Sequence, residues 1–142
     1  MIKILLVEDD EHCQLVTLRR LNAISGFKAD AVSTLKDAIE KFSSCEYDVV
    51  VLDLSLRDSH SSRTVAAMKG QHPNCAIVVL SGYEDPEMIR SVISQSASSY
   101  LVKGRDDQNP DNLATAIRLA VASNAAIQKV ELVVRQIESG DI

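Results

Sequence analysis

Val49, Val50, Val51 and Leu52 run without a break into the carboxylate of Asp53. A short apolar run bounded by polar residues suits a strand buried on both faces, the condition of a strand inside a parallel sheet. The same profile recurs along the chain. Ile2 to Val7 ends abruptly in Glu8-Asp9-Asp10-Glu11, and Cys75 to Leu80 ends at Ser81-Gly82. Lys28 to Val32 is short and alternating, as expected of a strand nearer the sheet edge. Ser99 to Val102 is the fifth run and ends at Lys103-Gly104. The central strand is predicted over Asp48 to Asp53.

Helical patterns fill the intervals. Asp10 is a plausible N-cap with an acid-rich first turn behind it, which suits the positive end of a helix dipole. Leu15, Leu18 and Leu21 then recur at helical spacing until Ser25-Gly26. Ser33 or Thr34 caps a second helix, with Leu35, Ala38, Ile39 and Phe42 on one face. Leu54 to Ser62 reads as a polar loop. A third helix runs through Val65, Met68 and Lys69 and stops at Gly70. Asp85-Pro86-Glu87 is a cap, an N1 proline and an acidic first turn. The helix it opens would face inward through Met88, Ile89, Val92 and Ile93. Asn109-Pro110-Asp111 starts the last helix in the same way. Strand and helix alternate five times. That pattern predicts an α/β fold, a doubly wound five-stranded parallel sheet with right-handed crossovers and helices on both faces.

The last helix is unusually long. After Pro110 neither glycine nor proline occurs until Gly140, against a mean helix of about 12 residues. Leu113, Ile117 and Ala120 suit packing on the sheet. Beyond Asn124, residues Ile127, Val130, Val134 and Ile137 follow the a, d, a, d spacing of a coiled coil. A second copy of the same helix is the simplest partner for that stripe.

Composition narrows the functions. A length of 142 residues suits one domain. Fifteen basic against 20 acidic residues leave a net charge of −5, which argues against nonspecific nucleic-acid binding. No apolar run approaches the roughly 20 residues of a membrane span, and the start lacks the form of a signal peptide. Cys13, Cys45 and Cys75 are odd in number and include no CxxC pair. Small buried thiols in a reducing cytoplasm are therefore expected. His12, His60 and His72 show no metal spacing and read as surface or helix-end residues.

In such a sheet Glu8, Asp9, Asp53, Ser81 and Lys103 all fall at strand ends that open on one edge, where open α/β sheets place their ligands. Carboxylates gathered there repel one another. A hard cation such as Mg²⁺ removes the conflict, because it takes oxygen ligands and keeps waters that a phosphate can replace. Lys103 can approach a phosphoryl oxygen, and Ser81 can donate to another. These parts suit phosphoryl transfer to a carboxylate, where positioning and charge neutralisation do most of the catalysis.

Ile4-Leu5-Leu6-Val7-Glu8-Asp9, Val50-Val51-Leu52-Asp53, Val78-Val79-Leu80-Ser81-Gly82 and Tyr100-Leu101-Val102-Lys103 resemble the motifs of response-regulator receiver domains. The resemblance covers residues 1–124 and leaves 125–142 as a C-terminal helical extension. It implies a flavodoxin-like fold of the CheY type and a role in two-component phosphorelays. Asp53 would be the phosphoacceptor, receiving its phosphoryl group from a sensor histidine kinase or histidine phosphotransfer protein. Glu8, Asp9, Asp53 and the main-chain carbonyl of Ser55 would hold Mg²⁺. Ser81 and Tyr100 would form the switch pair, and Lys103 would bind the phosphate. The chain would then catalyse only its own phosphorylation and dephosphorylation.

Four positions depart from the family pattern. Arg57 stands where proline is common, and Ser61 and Ser96 stand where glycine is frequent. Gly104 replaces the proline that usually follows the lysine, removing the residue type that makes a cis peptide inexpensive. Two other functions compete. One is a docking or dimerisation module that keeps the fold without using phosphorylation, and intact Glu8, Asp9, Asp53, Ser81 and Lys103 count against it. The other is a phosphohydrolase of the haloacid dehalogenase kind, which would need an acid two residues after the nucleophile, where Ser55 stands. Output would come through a downstream protein or through an output domain beyond this segment, since the 17 residues after Ala125 cannot fold into one.

Overall fold

The computed structural model describes residues 1–140; the last two residues of the expected extension lie outside them. Five strands, β1 (Ile2–Val7), β2 (Phe27–Val32), β3 (Val49–Leu52), β4 (Ile77–Ser81) and β5 (Ser99–Val102), alternate with five helices. These are α1 (Glu11–Asn22), α2 (Leu35–Ser44), α3 (Ser62–Gln71), α4 (Pro86–Ser94) and α5 (Pro110–Ser139), with a 3-10 turn at Asp106–Gln108 ahead of α5. The sheet is wholly parallel in the order β2-β1-β3-β4-β5. The central β3 is buried at every position, and the alternating β2 lies at an edge.

The period-two geometry of the strands divides the core in two. Ile4, Leu6, Val49, Val51, Val78 and Leu80 face one side, where they meet Leu21 of α1 and Leu113 and Ile117 of α5. Leu5, Val7, Val50, Leu52, Ile77 and Val79 face the other, against Leu35 and Ala38 of α2, Val65 and Met68 of α3, and Val92 of α4. Both faces being covered is what allows the strand sequences to be continuously apolar.

Most expected caps form. Asp10 accepts from the amide of Cys13, Thr34 from Asp37, Asp85 from Glu87 and Asn109 from Asp111. Other details differ from the sequence expectation. Leu15 and Ile93 are exposed although their spacing placed them on inner faces. The loop after β3 is polar only in part, since Leu54 and Leu56 are fully buried beneath it. Cys75 is buried as expected, but Cys45 is exposed at the end of α2. Strand β4 begins two residues later than predicted, since the Cys75 amide still closes the turn onto His72 O (3.1 Å) and Ala76 joins the sheet only through its carbonyl, which accepts from Val50 N at 2.9 Å.

Among the described residues, the non-glycine positions with positive φ are Ser61 (57°) and Ser96 (72°). These are the two serines that stand where the family favours glycine. No peptide bond among the described residues is cis, and Gly104 takes φ +80°, a conformation glycine adopts without steric cost.

Helix α5 is continuous for 30 residues. Its sheet-facing line of Leu113, Ile117 and Ala120 continues, at helical spacing, as Asn124, Gln128, Glu131 and Arg135. Leu119, Ile127, Val130, Leu132, Val133, Val134 and Ile137 are all exposed; Ile127 and Val134 continue the heptad spacing of the buried Ala120, and Val130 and Ile137 lie on the adjoining side of the helix. Asn124 Nδ2 donates to the carbonyl of Asn74 at 2.8 Å where α5 leaves the domain.

Candidate functional site

The parallel ladders extend one residue beyond several strands, and this places the polar groups. The Glu8 amide donates to Val32 O (3.1 Å), Asp53 N to Val7 O (3.0 Å) and Lys103 N to Ser81 O (2.9 Å). Glu8, Asp53 and Lys103 therefore stand on backbone fixed by a neighbouring strand. Glu8, Asp53 and Ser81 are buried, whereas Asp9 and Lys103 are half-buried. Carboxylate oxygens of Glu8, Asp9 and Asp53 lie within 4.8 Å of one another.

Lys103 enters this cluster from β5. Its Nζ is in direct contact with Glu8 Oε1 and lies 3.3 Å from Asp53 Oδ2. Burial pushes the Asp53 carboxyl up to about 7, with the hydrogen bond and charge of Glu8 adding to it; Lys103 and the Ser55 amide pull the other way without prevailing. For Lys103, burial opposes the charge, but Glu8 and Asp53 outweigh it and raise its pKa. One ammonium thus pairs with two of the three clustered carboxylates. Such an all-oxygen donor set fits a hard divalent cation, which would offset both the burial and the neighbouring Glu8 charge that raise Asp53.

Ser55 is half-buried two residues past Asp53, and its amide donates to Asp53 Oδ1 at 3.3 Å. The Ser81 hydroxyl accepts a long bond from the Tyr83 amide (3.4 Å), while the Tyr100 hydroxyl donates to Tyr83 O at 2.8 Å. Burial raises the Tyr100 pKa; the nearby Ser81 hydroxyl acts to lower it, and the Asp53 charge adds to the rise. The structure brings all seven residues singled out in the sequence to one edge.

Gln14 was not among them. Its Nε2 lies 2.7 Å from Glu8 O, 3.2 Å from Val32 O and 3.2 Å from Ser33 Oγ, fastening the first turn of α1 to both neighbouring strand ends. A polar residue one turn into a helix whose N-terminus abuts the strand ends was the only available signal. Nothing in its spacing pointed to three partners.

A doubly wound parallel sheet with acids, a hydroxyl and a lysine at its carboxyl edge defines a receiver-like α/β fold. The family model described as the response regulator receiver domain matches residues 4–118, and the chain belongs to that family. The swarming motility regulation protein RssB of Serratia marcescens is 30% identical over 102 residues, 72% of this chain and 46% of that protein. The response regulator protein VraR of Staphylococcus saprophyticus is 30% identical over 138 residues, 94% of this chain and 63% of its own length. The chain spans about half the length of the curated relatives it matches. A CheY-like receiver domain from Methanospirillum hungatei superimposes with a TM-score of 0.77 at 19% identity, covering 89% of this chain and 98% of that one. This likeness shows the CheY-type flavodoxin-like fold. No helix among the described residues is long and apolar enough to cross a membrane.

Proposed function

We propose that the chain is a phosphoacceptor receiver that takes a phosphoryl group onto Asp53 and uses it to change protein contacts. The observation that carries the reading is the juxtaposition of the Glu8, Asp9 and Asp53 carboxylates with Lys103. A partner histidine kinase or phosphotransfer protein supplies a phosphohistidine. An Asp53 carboxylate oxygen attacks phosphorus, the P–N bond breaks, and the imidazole leaves with a proton from solvent. Glu8, Asp9, Asp53 and the Ser55 carbonyl hold Mg²⁺, which when bound neutralises charge on the transferring oxygens. Lys103 releases part of its contact with Asp53 to meet a phosphoryl oxygen, and Ser81 donates to another. Both gain charge-assisted bonds that exist only in the phosphorylated state.

Those gains bias the Ser81, Tyr83 and Tyr100 contacts, and so the surface of α4 and β5, by no more than the differential contact energy allows. Output passes to a downstream protein or an attached domain. A second copy of this chain is a further partner. In a parallel pairing of α5, Ile127, Val130, Val134 and Ile137 meet their own copies, and Glu131 and Glu138 lie beside Ala126 and Val133 rather than each other. The first of these claims is tested by Mg²⁺-dependent labelling with a small phosphodonor such as acetyl phosphate. Labelling of the wild type and none of Asp53→Asn is expected. Absence of labelling in the wild type would favour a phosphorylation-independent docking module, and persistent labelling of Asp53→Asn would place the acceptor elsewhere.

A further inference from the structure

The loop between β3 and α3 carries Ser55, yet no proline or glycine stiffens or shapes it from Leu54 to Ser62. It is held instead by contacts. On the inside, Leu54 and Leu56 are buried in the core, and Thr64 Oγ1 donates to Leu54 O at 3.3 Å while pairing with Ser59 Oγ at 2.9 Å. Ser55 and His60 form an isolated antiparallel bridge, and Leu56 N donates to Ser59 O at 2.9 Å. The tip of this small hairpin is Arg57-Asp58.

Asp58 is anchored outside the loop. Its Oδ1 accepts from Leu35 N at 2.9 Å and its Oδ2 from Lys36 N at 3.0 Å. Leu35 and Lys36 are the first two residues of α2, whose third amide, Asp37 N, is capped by Thr34. The Asp58 carboxylate thus spans the free amides at the positive end of a helix more than 20 residues away in sequence. Burial opposes its charge, but the Leu35 and Lys36 amides prevail and hold its pKa below the ordinary carboxylate value. A loop tip seated on two charge-assisted bonds has its position set by α2.

We propose that Asp58 is a positioning residue for the Asp53 site: by clamping the loop tip to the N-terminus of α2 it fixes the backbone of Ser55, and with it the affinity for Mg²⁺. This rests on the phosphoacceptor reading above. The clamp does for the loop what a rigid residue in the loop would otherwise do. It also makes α2 a structural extension of the site, although no α2 side chain belongs to the carboxylate cluster.

The test compares two caps of one helix. Thr34→Ala removes a bond to α2 without touching the loop, whereas Asp58→Ala removes both helix bonds and the loop anchor. Mg²⁺ affinity of the intact 142-residue chain is measured by calorimetric titration, with melting temperature recorded for each variant. Outer-shell supports commonly set metal affinity by an order of magnitude, so Asp58→Ala should bind Mg²⁺ about tenfold more weakly. Thr34→Ala should match the wild type in affinity even if it melts earlier. Asp58→Asn keeps one acceptor, should fall between wild type and Asp58→Ala, and carries the test if Asp58→Ala does not fold. Wild-type affinity in the Asp58 variants, or an equal loss in Thr34→Ala, would overturn the inference while leaving the phosphoacceptor reading intact. Failure of the wild type to bind Mg²⁺ at all would overturn both.

Discussion

Replacing Ser61 with glycine should make the protein more stable. Ser61 sits ahead of α3 with φ 57° and ψ −148°, and its side chain makes no capping bond. That backbone region is almost confined to glycine, and a residue with a Cβ held there carries about 1–3 kcal/mol of strain. Glycine removes the strain but widens the unfolded ensemble, which costs roughly 0.5–1 kcal/mol. The difference is a net gain of about 1 kcal/mol. At about 2.1 cal/mol/K per residue the unfolding entropy of a chain this long is about 0.3 kcal/mol/K, so the melting temperature should rise by about 3 °C. Thermal unfolding of Ser61→Gly in metal-free buffer, followed by circular dichroism, measures it. Ser61→Ala is the control, since it removes the hydroxyl and keeps the Cβ. A Ser61→Gly variant that melts no higher than the wild type, or an equal gain in Ser61→Ala, would refute the strain argument.

Mg²⁺ should raise the melting temperature of the wild type by mass action, RT ln(1 + [L]/Kd), and Asp9→Ala should lose most of that shift; equal shifts in both would remove Asp9 from the ligand set. Asp58→Asn should melt lower than the wild type at neutral pH. Because the folded-state pKa of Asp58 is depressed, its contribution is complete above the unfolded value near pH 4 and is lost as pH falls through the folded value. The gap between the two melting curves should therefore narrow only on the acid side of about pH 4. Sedimentation at tens of micromolar should show self-association for the full chain and a monomer for one ending at Ala125. Monomers in both cases would mean that the α5 stripe does not pair with a second copy.

The sheet was legible because burial on both faces leaves a plain mark, an apolar run with abrupt ends, and β1, β3 and β4 carry it. The acids and the lysine were legible for a related reason: the ladder continues one residue past β1, β3 and β5, so whatever follows an apolar run is delivered to the edge. Contacts between segments distant in sequence were not. Asp58 reads as an ordinary loop acid, Gln14 as a surface amide, and neither spacing reveals a partner about 20 residues away. Leu15 and Ile93 show the limit of periodicity, which marks an apolar face but not how far the neighbouring layer reaches over it. The α5 stripe was visible in part. Helical spacing found Ile127, Val130, Val134 and Ile137, and only the fold showed that they are exposed along with Leu119, Leu132 and Val133.

The unbroken course of α5 gives the domain a lever. Its first half is pinned by Leu113, Ile117 and Ala120 beneath the sheet, and the Asn124–Asn74 bond marks the fulcrum. The arm beyond it, from Asn124 to Ser139, is about 22 Å long at 1.5 Å per residue. A tilt of about 10° in the pinned half would sweep the far end through about 4 Å at that length, comparable to the diameter of a methyl-bearing side chain. A coil of equal length would absorb the same tilt within a few bonds. Whatever grips Val134 and Ile137 is therefore geared to the packing between α5 and the sheet, and movements too small to alter the domain's outline become a change of register at the end of the arm.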